Sequence, residues 1–227
     1  MESTSSETPA LAVGFDRLAR YYRVAEVFLA GEILQRARTR WFYPIREARH
    51  ILIVGEGIGR TLEDLLPQCV HARVVVIEVS EQMTQVAQRR LRRKYPAYSS
   101  RVTWKVADVR DEPRLTGRFD AIITPFVMDC FDQAEGARVV TYLEKHAAPD
   151  AWWLHADFHL PLRGWERARA KAILWLMYTV FRWVVSLPAS QLSPIDRHLQ
   201  SAGFVRQAQE LICGKLVRSD LWYRSSQ

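Results

Sequence analysis

Two groups of residues in this chain are of types that could do chemistry. The first holds ionisable side chains: Asp129 in "FVMDCF", and His155, Asp157 and His159 in "HADFHLP". Residues two apart on a strand share a face, so His155, Asp157 and His159 point the same way while the chain stays extended. A histidine tuned by a carboxylate can serve as a general base for an attacking oxygen or carbon. The same residues have plainer uses: a hydrogen-bonded histidine at a strand end, or an aspartate that turns the chain or bonds its own loop. Their spacing does not support a histidine–carboxylate metal site.

The second group is the glycine turn in "HILIVGEGIGRTLEDLL", residues 50–66. A buried apolar run enters Gly55-Glu56-Gly57-Ile58-Gly59, and a helical pattern of Leu62, Leu65 and Leu66 follows. Glycine lets backbone approach another group closely, and helix N–H groups can hold a polar or anionic one. A triphosphate loop would need a lysine after the glycines, and none stands there. A dinucleotide turn would have G-x-G-x-x-G, but here the third glycine comes one residue early. A nucleoside without a phosphate chain is the third reading. Glu78 ends "RVVVIEVS" about 20 residues beyond the turn, where an acid can accept from both ribose hydroxyls. Asp108 follows the strand in "VTWKVADVRDEP" and could accept from an adenine amine, with the neighbouring backbone N–H on a ring nitrogen. Met83 could pack on the adenine face or equally in the core. The strand in "RFDAIITPFVMDCF" ends at Thr124, so residues 124–129 would line the reactive end of the ligand.

The elements that must position these groups alternate. Apolar runs of strand length lie at 50–54, 73–77, 102–106, 119–124 and 151–156, with helical patterns at 60–66, 81–94 and 133–146. Such alternation predicts an α/β fold, a mostly parallel sheet with helices on both faces. Residues 107–118 read as a loop. A long helical stretch covers about 162–186, a short helix about 192–202, and two strands around Cys213-Gly214 form a hairpin closing the sheet edge. Residues 15–41 read as one or two helices outside the sheet unit, and residues 1–12 as a disordered tail. The rest, 13–227, is expected to be a single domain.

A net charge of +7 and a pI of about 9.6 permit anionic partners without choosing one. Much of the excess sits in "QRRLRRKYPAYSSR", residues 88–101, as a solvated helix end suited to the helix dipole. The arginines cluster there without any evident recognition module, so no nucleic-acid partner is expected. The three cysteines are scattered and the start "MESTSSETPA" has no secretory pattern, which fits a reducing cytoplasm. The stretch "AKAILWLMYTVFRWVVSLP", 170–188, is crowded with tryptophan and other aromatics. Arg182 interrupts it short of the about 20 residues that a membrane span needs. It reads as a lid helix over 162–188 walling an apolar pocket, or as an interfacial helix in peripheral contact with a membrane.

The set "VGEGIGR", "VIEVS", "ADV" and "FDAIITPFVMDCF" resembles the class I S-adenosylmethionine-dependent methyltransferases over roughly residues 45–160. That resemblance implies a Rossmann-like seven-stranded sheet with an antiparallel last strand, and S-adenosyl-L-methionine as cofactor. It implies that Gly55, Glu56, Gly57 and Gly59 meet the methionine part, that Glu78 holds the ribose, that Met83 and Val109 flank the adenine ring, and that Asp108 meets its amine. The family often has an acid two places before the first glycine; here Ile53 stands there, so the amino group is expected to lean on Glu56 or on backbone carbonyls. "FDRLARYY" near the start and "HADFHLP" are loosely similar to the ubiquinone/menaquinone C-methyltransferases, which implies a hydrophobic or aromatic acceptor, quinone-like or lipid. Residues 15–43 would cover the pocket opposite the lid, and Asp129, His155 and Asp157 are the candidates for work on the acceptor. The alternatives are an oxidoreductase on a nicotinamide, and a non-catalytic nucleoside-binding protein with membrane or partner contact.

Overall fold

The computed structural model describes residues 31–159 and 195–225. The expected tail at 1–12, the first part of the cap helices, and the lid at 162–188 lie outside the described residues. The described chain runs α1 (Gly31–Thr39), β1 (His50–Val54), α2 (Arg60–Leu65), β2 (Arg73–Glu78), α3 (Glu81–Lys94), β3 (Val102–Val106), β4 (Phe119–Pro125), α4 (Gln133–Glu144), β5 (Ala147–Phe158), α5 (Ile195–Ser201), β6 (Val205–Ile212) and β7 (Val217–Tyr223). The seven strands form one sheet in the order β3-β2-β1-β4-β5-β7-β6. Strands β1 to β5 pair in parallel, and β7 pairs antiparallel with both β5 and β6.

The apolar run of β1 is explained by its place at the centre of the sheet. Ile51, Leu52, Ile53 and Val54 are all buried, as a strand covered on both faces must be. One face packs Leu62, Leu65 and Leu66 around Ile51 and Ile53. The other packs Val139, Val140, Leu143, Ile195 and Leu199 with Trp153 and Trp222. The helix α1 lies near the carboxyl edge, where Leu34 and Ala37 meet Ala156, Ile212 and Val217. The buried Ser219 hydroxyl fixes it by donating to the Ala37 carbonyl at 2.7 Å, and Arg36 and Arg40 both pair with Glu210 of β6.

Three expectations are refined. The segment 107–118 contains a short 3-10 turn, Val109–Asp111, because Asp108 caps it. Strand β5 is twelve residues long and begins at Ala147, with a register shift against β4 between Phe119 and Ala121. The terminal hairpin inserts its second strand, β7, between β5 and β6.

The basic stretch is partly consumed by the fold. Arg101 donates to the carbonyls of Leu66 at 3.2 Å and Cys69 at 3.1 Å, beyond the end of α2, and lies over the Tyr98 ring. Arg90 and Lys94 pair with Glu63. Arg101→Met is expected to lower stability by about 1–3 kcal/mol through the lost charged hydrogen bonds. A lower urea midpoint with unchanged slope would show it.

Candidate functional site

All three glycines of the turn have positive φ, at 76°, 63° and 89° for Gly55, Gly57 and Gly59. Only two are close-packed by the protein itself. A Cβ on Gly55 would lie 2.7 Å from the Val127 Cβ, and one on Gly59 would lie 3.1 Å from Ala87. In front of Gly57 the nearest atom is the Met83 sulfur, at 4.0 Å. The turn therefore has one open approach, at Gly57, flanked by Met83. Gly55→Ala is expected to cost about 1–2 kcal/mol in left-handed strain and about 1–3 kcal/mol in overpacking. Adding Val127→Ala should recover the second part, so urea unfolding of the double variant should show coupling between the changes.

Glu78 ties the turn to β2. Its Oε2 accepts from the Gly57 N–H at 2.8 Å and its Oε1 from the Ser80 N–H at 3.0 Å. Ser80 in turn caps α3 by accepting from the Met83 N–H at 3.1 Å, which sets where Met83 sits. Val109 is buried in the core beside this edge. Asp108 is placed at the end of β3 as expected, but it has a partner that sequence reading missed. Arg110 grips both carboxylate oxygens, with its Nη2 at 2.6 Å from Oδ2, and also pairs with Glu135 at 2.8 Å. The guanidinium holds Asp108 below the usual carboxylate range. Each oxygen keeps a second acceptor direction, so a further donor can still be met.

Glu56 points away from solvent. Its Oε1 accepts from the Leu62 N–H at 3.0 Å, supplying the cap that Gly59 has no side chain to give. Its Oε2 is buried with no hydrogen-bond partner, and burial raises its pKa to about 7.

At the ends of β4 and β5 the ionisable residues do come together, in a different arrangement from the expected base. Thr124 is fully buried and its hydroxyl accepts from Trp153 Nε1 at 3.0 Å, 3.3 Å from His155 Nδ1. Thr124 thus supports the strand ends from below. His155 Nε2 is 4.0 Å from Asp157 Oδ2, beyond hydrogen-bond reach. Burial, helped by the charge of Arg218, lowers the His155 pKa to about 3, so the ring is neutral. Its pKa is set by burial and by Arg218 and not by Asp157. Asp157 accepts from the Phe158 N–H at 2.8 Å and the Asp129 N–H at 3.1 Å. Burial and the Asp129 charge push its pKa well up. The Cys130 thiol lies 3.7 Å from Asp129 Oδ1. His159 lies just past β5, its N–H on the Leu216 carbonyl at 2.7 Å, and burial lowers its pKa.

Sequence reading also missed Arg218, and it placed Phe126 only as part of the segment 124–129. Arg218 stands opposite Asp157 across β5–β7 and pairs with Asp196 at 2.6 Å and with Asp220. Strand alternation carries a signal for it: Arg218, Asp220 and Trp222 share a face. Phe126 has φ 56°, an uncommon backbone for a bulky residue, and lies 5.4 Å from Phe158 and under Arg38. The bend turns Val127 onto Gly55. No single residue announces that. Among the described residues no group of three or more histidine, cysteine or acidic side chains could hold a metal ion.

Residues 51–150 match the model of a family described as a methyltransferase domain. No curated protein matches the sequence. Among solved structures, the mitomycin 7-O-methyltransferase is similar at 14% identity and a TM-score of 0.67, covering 92% of this chain and 56% of that one. Magnesium protoporphyrin IX methyltransferase from Synechocystis, with bound S-adenosylhomocysteine, is 19% identical with a TM-score of 0.65, covering 95% of each chain. The N-methyltransferase NodS from Bradyrhizobium japonicum is 14% identical with a TM-score of 0.63, covering 93% of this chain and 98% of that one. This chain thus spans little more than half of the mitomycin enzyme and nearly all of the other two. Residues 51–150 thus match a methyltransferase-domain model, and the seven-stranded sheet that holds them has the fold of these solved methyltransferases.

Proposed function

We propose that this protein transfers a methyl group from S-adenosylmethionine to a hydrophobic or aromatic small molecule, quinone-like or lipid. The observation that carries the reading is the open approach at Gly57, bounded by Met83 and by the Glu78 carboxylate. The residues fit the cofactor: a cradle that a Cβ would strain, an acid at the tip of β2, and a partnerless carboxylate oxygen on Glu56. The cofactor supplies an activated methyl group on a sulfonium sulfur. Glu78 would hold the ribose, Met83 and Val109 the adenine ring, and Asp108 its amine. Gly55, Gly57, Gly59 and Glu56 would form the methionine end, and Thr124 would support the reacting end through Trp153 and His155.

Asp129 is the residue we place nearest the acceptor, as the group that takes its proton. Asp157 positions it by accepting the Asp129 N–H, and neutral His155 positions Thr124. An apolar acceptor is supported by the Phe126–Phe158 pair at the carboxyl edge and by the aromatic sequence 170–188. Similar folds serve mitomycin and magnesium protoporphyrin IX in the enzymes named for them. The free cysteines Cys69 and Cys130 suit a cytoplasmic protein. No helix among the described residues is long and apolar enough to cross a membrane, and peripheral contact is the form of membrane association we propose. Residues 13–227 are taken as one domain, with 15–43 and 162–188 enclosing the acceptor.

Calorimetric titration with S-adenosylmethionine and S-adenosylhomocysteine, beside NADH, tests the cofactor. Transfer of a labelled methyl group to a panel of quinols, phenols and lipid vesicles tests the acceptor. Micromolar binding of the sulfur ligands and labelling of apolar acceptors are expected. Binding of NADH alone would favour an oxidoreductase, and binding of none would overturn the enzyme reading.

A further inference from the structure

Arg218 is engaged on one side only. It stands near the start of β7, in register with Asp157 of β5, and Asp220 lies two residues further in, in register with His155. Its Nε donates to Asp220 Oδ2 at 2.6 Å, and its Nη2 meets that same oxygen and, at 2.6 Å, Asp196 Oδ1 in the first turn of α5. Those bonds tie the hairpin to α5, and they account for what the fold asks of this residue. Among the described residues no acceptor meets Nη1. A guanidinium is planar, so the fork made by Nε and Nη2 faces Asp220 and Nη1 lies on the other side. Asp220 is toward the middle of the sheet, so Nη1 is on the side of the carboxyl edge.

That edge holds the other ionisable groups. The charge of Arg218 reaches His155, Asp157 and His159. Asp129, on the loop after β4, is tied to Asp157 through its N–H at 3.1 Å. On the far side Arg206 of β6 shares Asp196 at 2.9 Å, and Gln209 donates to Asp220 at 2.8 Å. Arg206 and Arg218 thus balance Asp196 and Asp220. The Arg218 side chain is 11% exposed, so its charge is weakly screened.

We propose that Arg218 recognises the methyl acceptor, with Nη1 holding an acidic hydroxyl oxygen on an aromatic ring as that oxygen loses its proton. The inference rests on the methyl-transfer reading above and adds the group that the acceptor must present. The proton goes to Asp129, and the negative charge left on the oxygen is met by the guanidinium. Charge conservation favours a hydroxyl over a carboxylate or phosphate. A hydroxyl that passes its proton to Asp129 leaves the total charge of the site unchanged, whereas a preformed anion adds one beside buried carboxylates. The ring is argued from the Phe126–Phe158 pair, whose second member follows Asp157.

The test uses two probes of one shape. 4-Nitrophenol reports its own ionisation by its colour, and 4-nitroanisole is the same ring with the oxygen capped. Both are titrated into the full chain with and without S-adenosylhomocysteine. The wild type is expected to bind the phenol about tenfold more tightly than the anisole, and to raise its acid ionisation constant by about tenfold or more. Arg218→Gln combined with Asp220→Asn removes one charge of each sign and leaves two amides that can bond each other. Thermal unfolding and S-adenosylhomocysteine affinity check that this variant is folded. It is expected to lose the ionisation shift and the preference for the phenol, with anisole binding within about twofold of wild type. Arg218→Lys, which keeps the charge but has no Nη1, serves if the double variant does not fold, and should bind the phenol about fivefold more weakly. The proposal is overturned if the wild type binds 4-nitrophenol no better than 4-nitroanisole, or if the shift survives in the variants. Equal weakening of both probes would also overturn it and make Arg218 a structural ion pair. Calorimetry with S-adenosylhomocysteine on the same wild type separates the two readings. Absence of that binding removes the methyl-transfer reading, whereas binding without a preference for the phenol removes this inference alone.

Discussion

Glu78→Ala is expected to weaken S-adenosylmethionine binding by tenfold or more, on the order of 1.4 kcal/mol, and to destabilise the free protein as well. The two effects have separate causes. Removing the carboxylate takes away the group proposed to hold the ribose. It also strips acceptors from the Gly57 and Ser80 N–H groups, which it meets at 2.8 and 3.0 Å. An unsatisfied buried donor costs about 1–3 kcal/mol, so the variant should lose about 2–4 kcal/mol of stability before any ligand is added. Urea unfolding of the free protein reads the second effect and calorimetry the first. Glu78→Gln can keep only one of the two N–H bonds, so its stability should fall between the others. If the alanine variant is destabilised but binds as tightly as wild type, Glu78 shapes the turn without touching the ligand, and the ribose assignment fails.

His155→Gln is expected to change how stability depends on pH more than stability itself at neutrality. His155 is buried, and its pKa is lowered to about 3 from a normal 6.5. A lowered histidine pKa means that the unfolded chain binds the proton more readily than the native one. Below pH 6.5 the unfolded state therefore gains, and stability falls by about 1.4 kcal/mol per pH unit until the folded pKa is reached. By pH 4.5 the wild type should have lost about 2–3 kcal/mol through this residue. The glutamine variant cannot lose it and keeps a polar group facing Thr124. Asp157, with its raised pKa, acts in the opposite direction as pH falls, so the difference between wild type and variant is the quantity to measure. Urea midpoints at pH 7.0 and 4.5 supply it, with the imidazole ring followed by NMR. Parallel losses in both proteins, and a ring that protonates near pH 6.5, would mean that His155 forms a charged pair with Asp157 after all.

The sequence by itself determined the architecture and the location of the turn. Four buried apolar residues, a run of glycines and a leucine face leave little freedom, because strand, turn and helix each have a local signature. The same holds for "RVVVIEVS", where the apolar run and its terminal acid lie within one element. Alternation of such elements was enough to imply a parallel sheet, and the C-terminal hairpin followed from its own turn. The tertiary structure decided what no local signal carries. It inserted β7 between β5 and β6, which set Arg218 across from Asp157 and its charge near His155. The spacing of His155 and Asp157 suggested an acid–base pair. Burial from both sides of the sheet made one a neutral ring and raised the pKa of the other, since desolvation is a property of the packed environment and not of the residue types. It also divided the glycines. Val127 and Ala87 close on Gly55 and Gly59, and the free approach is left at Gly57. Those contacts join residues distant in the chain, so they exist only once the loop after β4 and the helix α3 are folded against the turn.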